Sequence, residues 1–93
     1  MINNFADKDL EQCWRDDRCA GLQGGLRRRV LLKLEILDIA SSLEDLERIP
    51  GNRLARLHGR GAPLYTLEVD GPWQLVFRYE NGACHDVWLK EVK

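Results

Sequence analysis

The sequence contains few of the residues that build metal centres or disulfide frameworks. It has three cysteines, Cys13, Cys19 and Cys84, with no C-x-x-C spacing, and two histidines, His58 and His85. A zinc site needs about four such ligands at close spacing, so we expect no metal cofactor. An odd, sparse set of cysteines is typical of reduced thiols in a cytosol. We expect Cys84, in a strand-like run, to be a small apolar residue of the core.

Long apolar runs and an excess of one charge are also missing. No stretch approaches the roughly 20 apolar residues that cross a bilayer, and the first residues turn acidic too early for a signal peptide. The 14 basic and 15 acidic side chains leave a formal net charge of −1, so nucleic-acid binding would need a local patch. Nucleotide-binding and zinc-hydrolase motifs are absent. We therefore expect a cytoplasmic protein that needs neither a membrane nor a cofactor.

The chain of 93 residues predicts a single domain over 1–93, helical at its start. Helical spacing of apolar residues predicts a short helix over residues 7–15 and a long one over 26–40, joined by a loop. Ser42-Leu43-Glu44-Asp45 resembles a capping box and predicts a third, short helix that ends before Pro50. Residues 1–5 predict a short strand.

The last third of the chain predicts strands. Runs rich in aromatic and branched residues cover 64–69, 73–79 and 83–89, and Asn81-Gly82 favours a tight hairpin between the last two. Helices followed by an antiparallel meander predict an α+β fold. Simple alternation in the last strand would place His85 with Val87 on one face.

Three consecutive arginines begin the long predicted helix. Cations at a helix N-terminus oppose the helix dipole, so Arg27, Arg28 and Arg29 indicate an anionic partner, either RNA phosphate or an acidic protein segment. The alternative is a solvated helix face with surface ion pairs to Asp16 and Asp17.

A basic loop follows the third predicted helix. It contains Arg53, Arg56, His58 and Arg60 within a few residues. Arginine can clamp phosphate and histidine can transfer a proton near neutral pH. This segment predicts contact with RNA, although an acidic protein could use the same charges.

Several blocks resemble a known family. The opening MINNFADKDLEQCWRD, the helix LRRRVLLKLEILDIASSLEDL, the block PGNRLARLHG, and Tyr65, Trp73, Phe77-Arg78 and Asn81-Gly82-Ala83 are similar to HigB-type toxins of the RelE/ParE superfamily. The resemblance implies a RelE/ParE-like α+β fold, with an N-terminal strand and helices packed on a C-terminal antiparallel meander sheet. It also implies metal-independent cutting of mRNA on the translating ribosome. The implied partner is a helix-turn-helix antitoxin (HigA-like), through which alone the toxin reaches operator DNA.

The resemblance and the residues themselves together predict roles. Arg53 and Arg78 match the family pattern, whereas His58 stands where the family often has lysine and would serve as acid or base. The expected catalytic residues are His58, Arg60 and Arg78. The expected RNA-binding residues are Arg53, Arg56, Lys90 and Lys93. The expected partner-binding residues are Arg27, Arg28 and Arg29.

This sequence departs from the family pattern at the expected site. Glu68 and Gln74 replace arginines, and Glu91-Val92-Lys93 replaces the usual Asp-Tyr-His ending. A unit charge 4 Å from a phosphate is worth roughly 4 kcal/mol at an effective dielectric constant of about 20, so Glu68 should weaken RNA binding. Three hypotheses follow: an active ribonuclease, a degenerate toxin fold that still binds an antitoxin, or an unrelated adaptor domain whose arginine loop binds an acidic protein.

Overall fold

The computed structural model describes residues 1–19, 21–22, 24–57, 61 and 63–92. Within these ranges three helices precede four strands. The helices are α1 (Lys8–Asp16), α2 (Gly24–Ile39) and α3 (Leu43–Arg48), and the strands are β1 (Ala55–Leu57), β2 (Leu64–Asp70), β3 (Trp73–Glu80) and β4 (Ala83–Glu91). None of the helices described is long and apolar enough to cross a membrane.

The four strands form one antiparallel sheet in the order β1-β2-β3-β4. This confirms the predicted α+β class and the meander of the last three strands. Strand β1 was not predicted, because it falls in the arginine-rich run that we assigned to a loop. It has three exposed residues and lies at the sheet edge, where pairing with β2 rather than an apolar pattern defines it.

The N-terminal segment lies along the other edge of the sheet. The predicted strand over 1–5 is wrong in its extent: isolated parallel bridges join Ile2 to Cys84 and Phe5 to Val87. The backbone of Ile2 also donates to the Asp38 carboxylate at 3.0 Å. The segment therefore ties the end of α2 to β4 without forming a continuous strand.

Side-chain caps begin two of the helices, and the cap at Ser42 was predicted. The Asp7 carboxylate accepts from the Leu10 backbone at the start of α1 (3.1 Å), and the Ser42 hydroxyl accepts from the Asp45 backbone at the start of α3 (3.2 Å). The returning bond of a capping box differs here, because the Asp45 carboxylate accepts from the backbone and the hydroxyl of Ser41. These bonds lower the pKa of Asp45.

One prediction about the cysteines was wrong. Cys13 and Cys19 form a disulfide, with Cα atoms 4.3 Å apart. Asp17 ends α1 in a left-handed conformation (φ 58°), which reverses the chain and returns Cys19 to the buried Cys13. The odd cysteine count misled us because two of three cysteines can still pair. Cys84 is a free, fully buried thiol, as predicted.

The core lies between α2 and one face of the sheet. Val30, Leu34 and Leu37 are fully buried on α2, as the apolar stripe predicted, and full burial of each such side chain stabilises the fold by about 1.5–3 kcal/mol. They belong to one apolar cluster with strand residues Leu67, Val69, Leu75, Phe77, Cys84 and Val87. This packing fixes which face of the sheet is left for a functional site.

Candidate functional site on the outer face of the sheet

Strand register defines the face of the sheet that points away from α2, which we call the outer face. Residues directly opposite each other in antiparallel strands share a face. Three rows of such partners form the outer face: Leu57, Leu64, Arg78 and His85; Ala55, Thr66, Val76 and Trp88; and Glu68, Gln74 and Lys90. Of the predicted site residues, Arg78 and Lys90 belong to this face.

A bulge in β4 decides which of its side chains reach the outer face. The register with β3 shifts between Val76 and Arg78, and Asp86 has a positive φ of 54°. The extra residue reverses the alternation beyond it, as a β-bulge does. Our prediction that His85 shares a face with Val87 is therefore wrong: Val87 is fully buried in the core, and His85 lies opposite Arg78 on the outer face.

Arg78 is held between two carboxylates. Its guanidinium contacts the Glu80 carboxylate, and its Nε lies 3.5 Å from Asp86 Oδ2. The Asp86 carboxylate also accepts from the Asn4 side chain at 2.7 Å. Arg78 thus contacts two carboxylates, and its side chain is about a quarter exposed (27%).

His85, across from Arg78, is fixed by hydrogen bonds at both ring nitrogens. Nδ1 lies 3.1 Å from the Asn3 side-chain amide, and Nε2 lies 3.3 Å from the Glu80 carbonyl oxygen. The carbonyl can only accept, so this network assigns the proton to Nε2 and leaves Nδ1 as the acceptor. Both ring nitrogens of His85 are thus occupied by contacts within the protein.

Glu68 does not stand alone on its edge of the outer face. Its carboxylate lies 3.5 Å from Arg53 Nε, and its charge acts against the desolvation that lowers the pKa of Lys33. The repulsion that we expected from Glu68 is therefore offset by at least one cation beside it. Beyond Thr66, β2 has no partner residue in β1, and we call this part of the sheet the β2 edge. The predicted RNA-binding residue Arg53 lies there, beside Glu68.

Asn52 builds this edge, and sequence reasoning gave it no role. The residue is fully buried. Its side-chain amide donates to the Leu46 carbonyl at 3.0 Å, and its Oδ1 accepts from Lys33 Nζ at 2.6 Å. Its backbone carbonyl accepts from the Glu68 backbone at 2.7 Å. The only available signal was its position in the family-like block Pro50-Gly51-Asn52-Arg53-Leu54.

The other predicted site residues are dispersed. Arg56 is the register partner of Tyr65. Because the ring of Tyr65 stacks on the core residue Phe77, Arg56 lies on the face of the sheet that packs against α2. His58, Arg60 and Lys93 lie outside the described residues. The structure therefore places Arg78 and Lys90 on the same face of the sheet, in rows separated by that of Trp88, with Arg53 beside Glu68.

The arginines that begin α2 do not form one uniform patch. Arg27 pairs with Asp17 and Arg29 pairs with Asp70, each at 2.6 Å, so the predicted ion pair to Asp17 is present. Among the residues described, Arg28 makes no ion pair. It lines a surface cavity together with Gly24 and Leu31.

The described residues include no group of three or more histidine, cysteine, aspartate or glutamate side chains that could hold a metal ion. The outer face offers instead guanidinium and ammonium groups, which bind phosphate, beside exposed apolar and aromatic surface. These are groups that could contact a polyanion without an ion in between.

Helices packed on one face of an antiparallel meander, with cations on the free face, agree with a small RelE-like toxin fold. The family model of RelE-like toxins of the type II toxin–antitoxin system HigB matches residues 3–91, and the chain belongs to this HigB-like toxin family. A type II toxin has an antitoxin partner. Membership leaves no support for the unrelated adaptor domain.

Two relatives match nearly the whole chain. It is 33% identical over 90 residues to Toxin HigB-1 of Vibrio cholerae serotype O1, covering 96% of this chain and 95% of the relative. It is 25% identical over 87 residues to an uncharacterized protein of Haemophilus influenzae, covering 92% and 86% of the two chains.

Proposed function

We propose that this HigB-like toxin cuts mRNA on the translating ribosome and that the outer face holds the RNA. The observation that carries the proposal is the family match over residues 3–91, in a fold that puts Arg78 and Lys90 on one face. In this proposal, Arg78 stabilises the phosphate under attack, and Lys90 and Arg53 bind neighbouring phosphates.

The proposed reaction needs no metal. The 2′-oxygen of one nucleotide attacks the adjacent phosphorus, the O2′–P bond forms and the P–O5′ bond breaks. A base takes the 2′-hydroxyl proton, an acid protonates the leaving 5′-oxygen, and a cation stabilises the charge that develops. From the sequence we assign the proton transfers to His58 and further charge to Arg60, both outside the described residues.

The carboxylates around Arg78 do not prevent phosphate binding. Glu80 and Asp86 are about half exposed (55% and 51%), and exposed ion pairs of this kind are typically worth only about 0–1 kcal/mol. Exchange of one carboxylate for an RNA phosphate therefore costs little.

A second candidate is a catalytically silent toxin fold that retains its antitoxin. It is favoured by the pairing of cations with carboxylates on the outer face, Arg78 with Asp86 and Arg53 with Glu68. In this case the function is binding of a HigA-like helix-turn-helix antitoxin, with Arg27, Arg28 and Arg29 as the proposed contact and operator DNA reached only through the antitoxin.

The two candidates differ in an mRNA cleavage assay. Purified protein is added to a translating bacterial extract, and cuts are mapped by primer extension. We expect discrete cuts within codons that require ribosomes. Arg78→Ala should lower the cleavage rate by about 100-fold or more, the usual loss when a group that stabilises transition-state charge is removed. Arg48→Ala, an exposed arginine of α3, is the matched control and should cut normally.

Absence of cuts, with another HigB toxin active in the same extract, would refute the nuclease. The double variant Glu68→Arg, Gln74→Arg then tests whether this row of the outer face silences the site, since cleavage by the variant would locate the defect there. Copurification with the product of a neighbouring helix-turn-helix gene would support the second candidate. A stable monomer that binds no such product would contradict it.

A further inference from the structure

Trp88 is the aromatic residue of the outer face. It lies opposite Val76 and is 37% exposed, whereas Val76 and Thr66, the next members of its row, are 1% and 6% exposed. Val76 and Thr66 point away from α2 and are nevertheless buried, so neighbouring side chains of the outer face cover them. The exposed part of the indole presents apolar surface to solvent beside them.

Val76, directly opposite Trp88, is buried, and the β3 and β4 side chains of the two adjoining rows are charged or polar. Lys90 follows two residues along β4 on the same face, roughly 7 Å away at the rise of a β-strand. Gln74 is opposite Lys90, and Arg78 occupies the next row on β3. Tryptophan and arginine are enriched at protein–protein interfaces but lysine is depleted there, so it is Lys90 that favours a ligand with negative charge. An exposed indole bordered by a lysine and an arginine fits a ligand that combines flat apolar groups with negative charges.

We infer that Trp88 stacks on a base of single-stranded RNA, with Lys90 beside it binding the phosphate of the same segment. This inference rests on the proposed function of the outer face and assigns a new RNA-binding residue to it. Proteins that bind single-stranded nucleic acid combine cations along the backbone with aromatic side chains under the bases. Trp88 and Lys90 supply both groups on one strand.

Direct binding tests this inference without catalysis. The probe is a dye-labelled RNA hexanucleotide with 2′-O-methyl groups, which removes the attacking hydroxyl, and the readout is fluorescence anisotropy at low ionic strength. Trp88→Ala should bind about 10-fold more weakly or worse, as is usual when a stacking aromatic is lost. Trp88→Phe should stay within about threefold of the native protein, because a ring remains.

Two controls make the result specific. Trp14→Phe, on α1, should bind as the native protein does. The second control is a series of hexanucleotides, each of which lacks the base at one position. For one member of the series, the native protein and Trp88→Ala should have the same affinity. Equal affinity of these two proteins for every intact hexanucleotide would overturn the inference, as would no binding by the folded native protein up to millimolar RNA. Thermal unfolding of each variant shows whether a loss of RNA affinity is due to misfolding. If Trp88→Ala misfolds, the affinities of Trp88→Phe and Trp88→Leu are compared instead, and only Trp88→Phe should retain binding.

The cleavage assay separates this inference from the proposed function. If the native protein cleaves mRNA, and Trp88→Ala cleaves mRNA and binds RNA equally well, the proposed nuclease activity is supported and the role of Trp88 is overturned. Binding that depends on Trp88 without any cleavage would support the inference and refute the nuclease. Trp88→Ala that loses the antitoxin but binds RNA normally would also overturn it, because the indole would then belong to a protein interface.

Discussion

Asn52→Ala should destabilise the fold more than its single buried side chain suggests. The substitution removes the donor to the Leu46 carbonyl and the acceptor for Lys33 Nζ, in a position without solvent access. A buried group left unpaired costs about 1–3 kcal/mol, and a hydrogen bond to a charged group is worth about 1.5–3 kcal/mol. We expect a loss of about 3–5 kcal/mol in the free energy of unfolding, a large share of the roughly 5–15 kcal/mol of a typical domain.

Urea denaturation followed by far-ultraviolet circular dichroism measures this loss. The midpoint should fall with little change in slope, because the surface exposed on unfolding is nearly the same. In thermal unfolding, each kcal/mol lowers the midpoint by roughly 4–8 °C in a domain of this size. Arg48→Ala, whose ion pair with Glu44 is 4.0 Å long and highly exposed, is the control and should change stability by less than about 0.5 kcal/mol.

A double-mutant cycle identifies the interaction responsible. Lys33→Met together with Asn52→Leu should cost less than the sum of the two single changes, because neither partner is then left unpaired. An Asn52→Ala loss below about 1 kcal/mol, or strictly additive effects of the two positions, would refute the view that this buried network holds the β2 edge.

The remaining predictions concern the cysteines and Glu68. Cys13→Ser with Cys19→Ser should lower the free energy of unfolding by about 2 kcal/mol, because a loop of about seven residues is released; an unfolding midpoint insensitive to the double variant and to reductant would contradict the pairing. Burial raises the pKa of the Cys84 thiol to about 11 from 9.0, so the unfolded thiol ionises first, and stability should fall between these pH values by about 1.4 kcal/mol per pH unit. Cys84→Ala should flatten that decline in pH-dependent urea titrations, and an equally steep decline would refute its origin. Glu68→Gln should free Arg53 for phosphate and tighten hexanucleotide binding in the anisotropy assay, with a steeper salt dependence; unchanged affinity would show that Arg53 does not contact RNA.

Local sequence signals predicted the elements whose determinants lie within a few residues. The hairpin at Asn81-Gly82 has positive φ at both positions (53° and 78°), the conformation for which that dipeptide is selected. Asp7 and Ser42 cap their helices because each side chain reaches a backbone amide three residues ahead. The apolar stripe of α2 predicted its buried face for the same reason.

Determinants that come from distant parts of the chain were missed. The bulge at Asp86 is held by Asn4, 82 residues earlier, which donates to the Asp86 carboxylate and accepts from its backbone. Strict alternation cannot reveal such a partner, so it gave His85 the wrong face. The side-chain hydrogen-bond partners of Asn52 likewise lie on α2 and α3. No short sequence pattern shows that a buried asparagine will find such partners. The composition of the outer face was therefore predicted only in part.

The small number of cations on the outer face gives a reason why this near-neutral chain would need the ribosome to cut RNA. Arg78 and Lys90 are the basic side chains in the described rows of this face, and Arg53 at its edge is paired with Glu68. For single strands, each phosphate neutralised contributes a slope of about −0.7 to the salt dependence of binding, so two or three contacts give weak affinity at physiological salt. Stacking on Trp88 would add to that affinity without adding charge. In the proposed activity, most of the binding energy for mRNA would then come from the ribosome that already holds it.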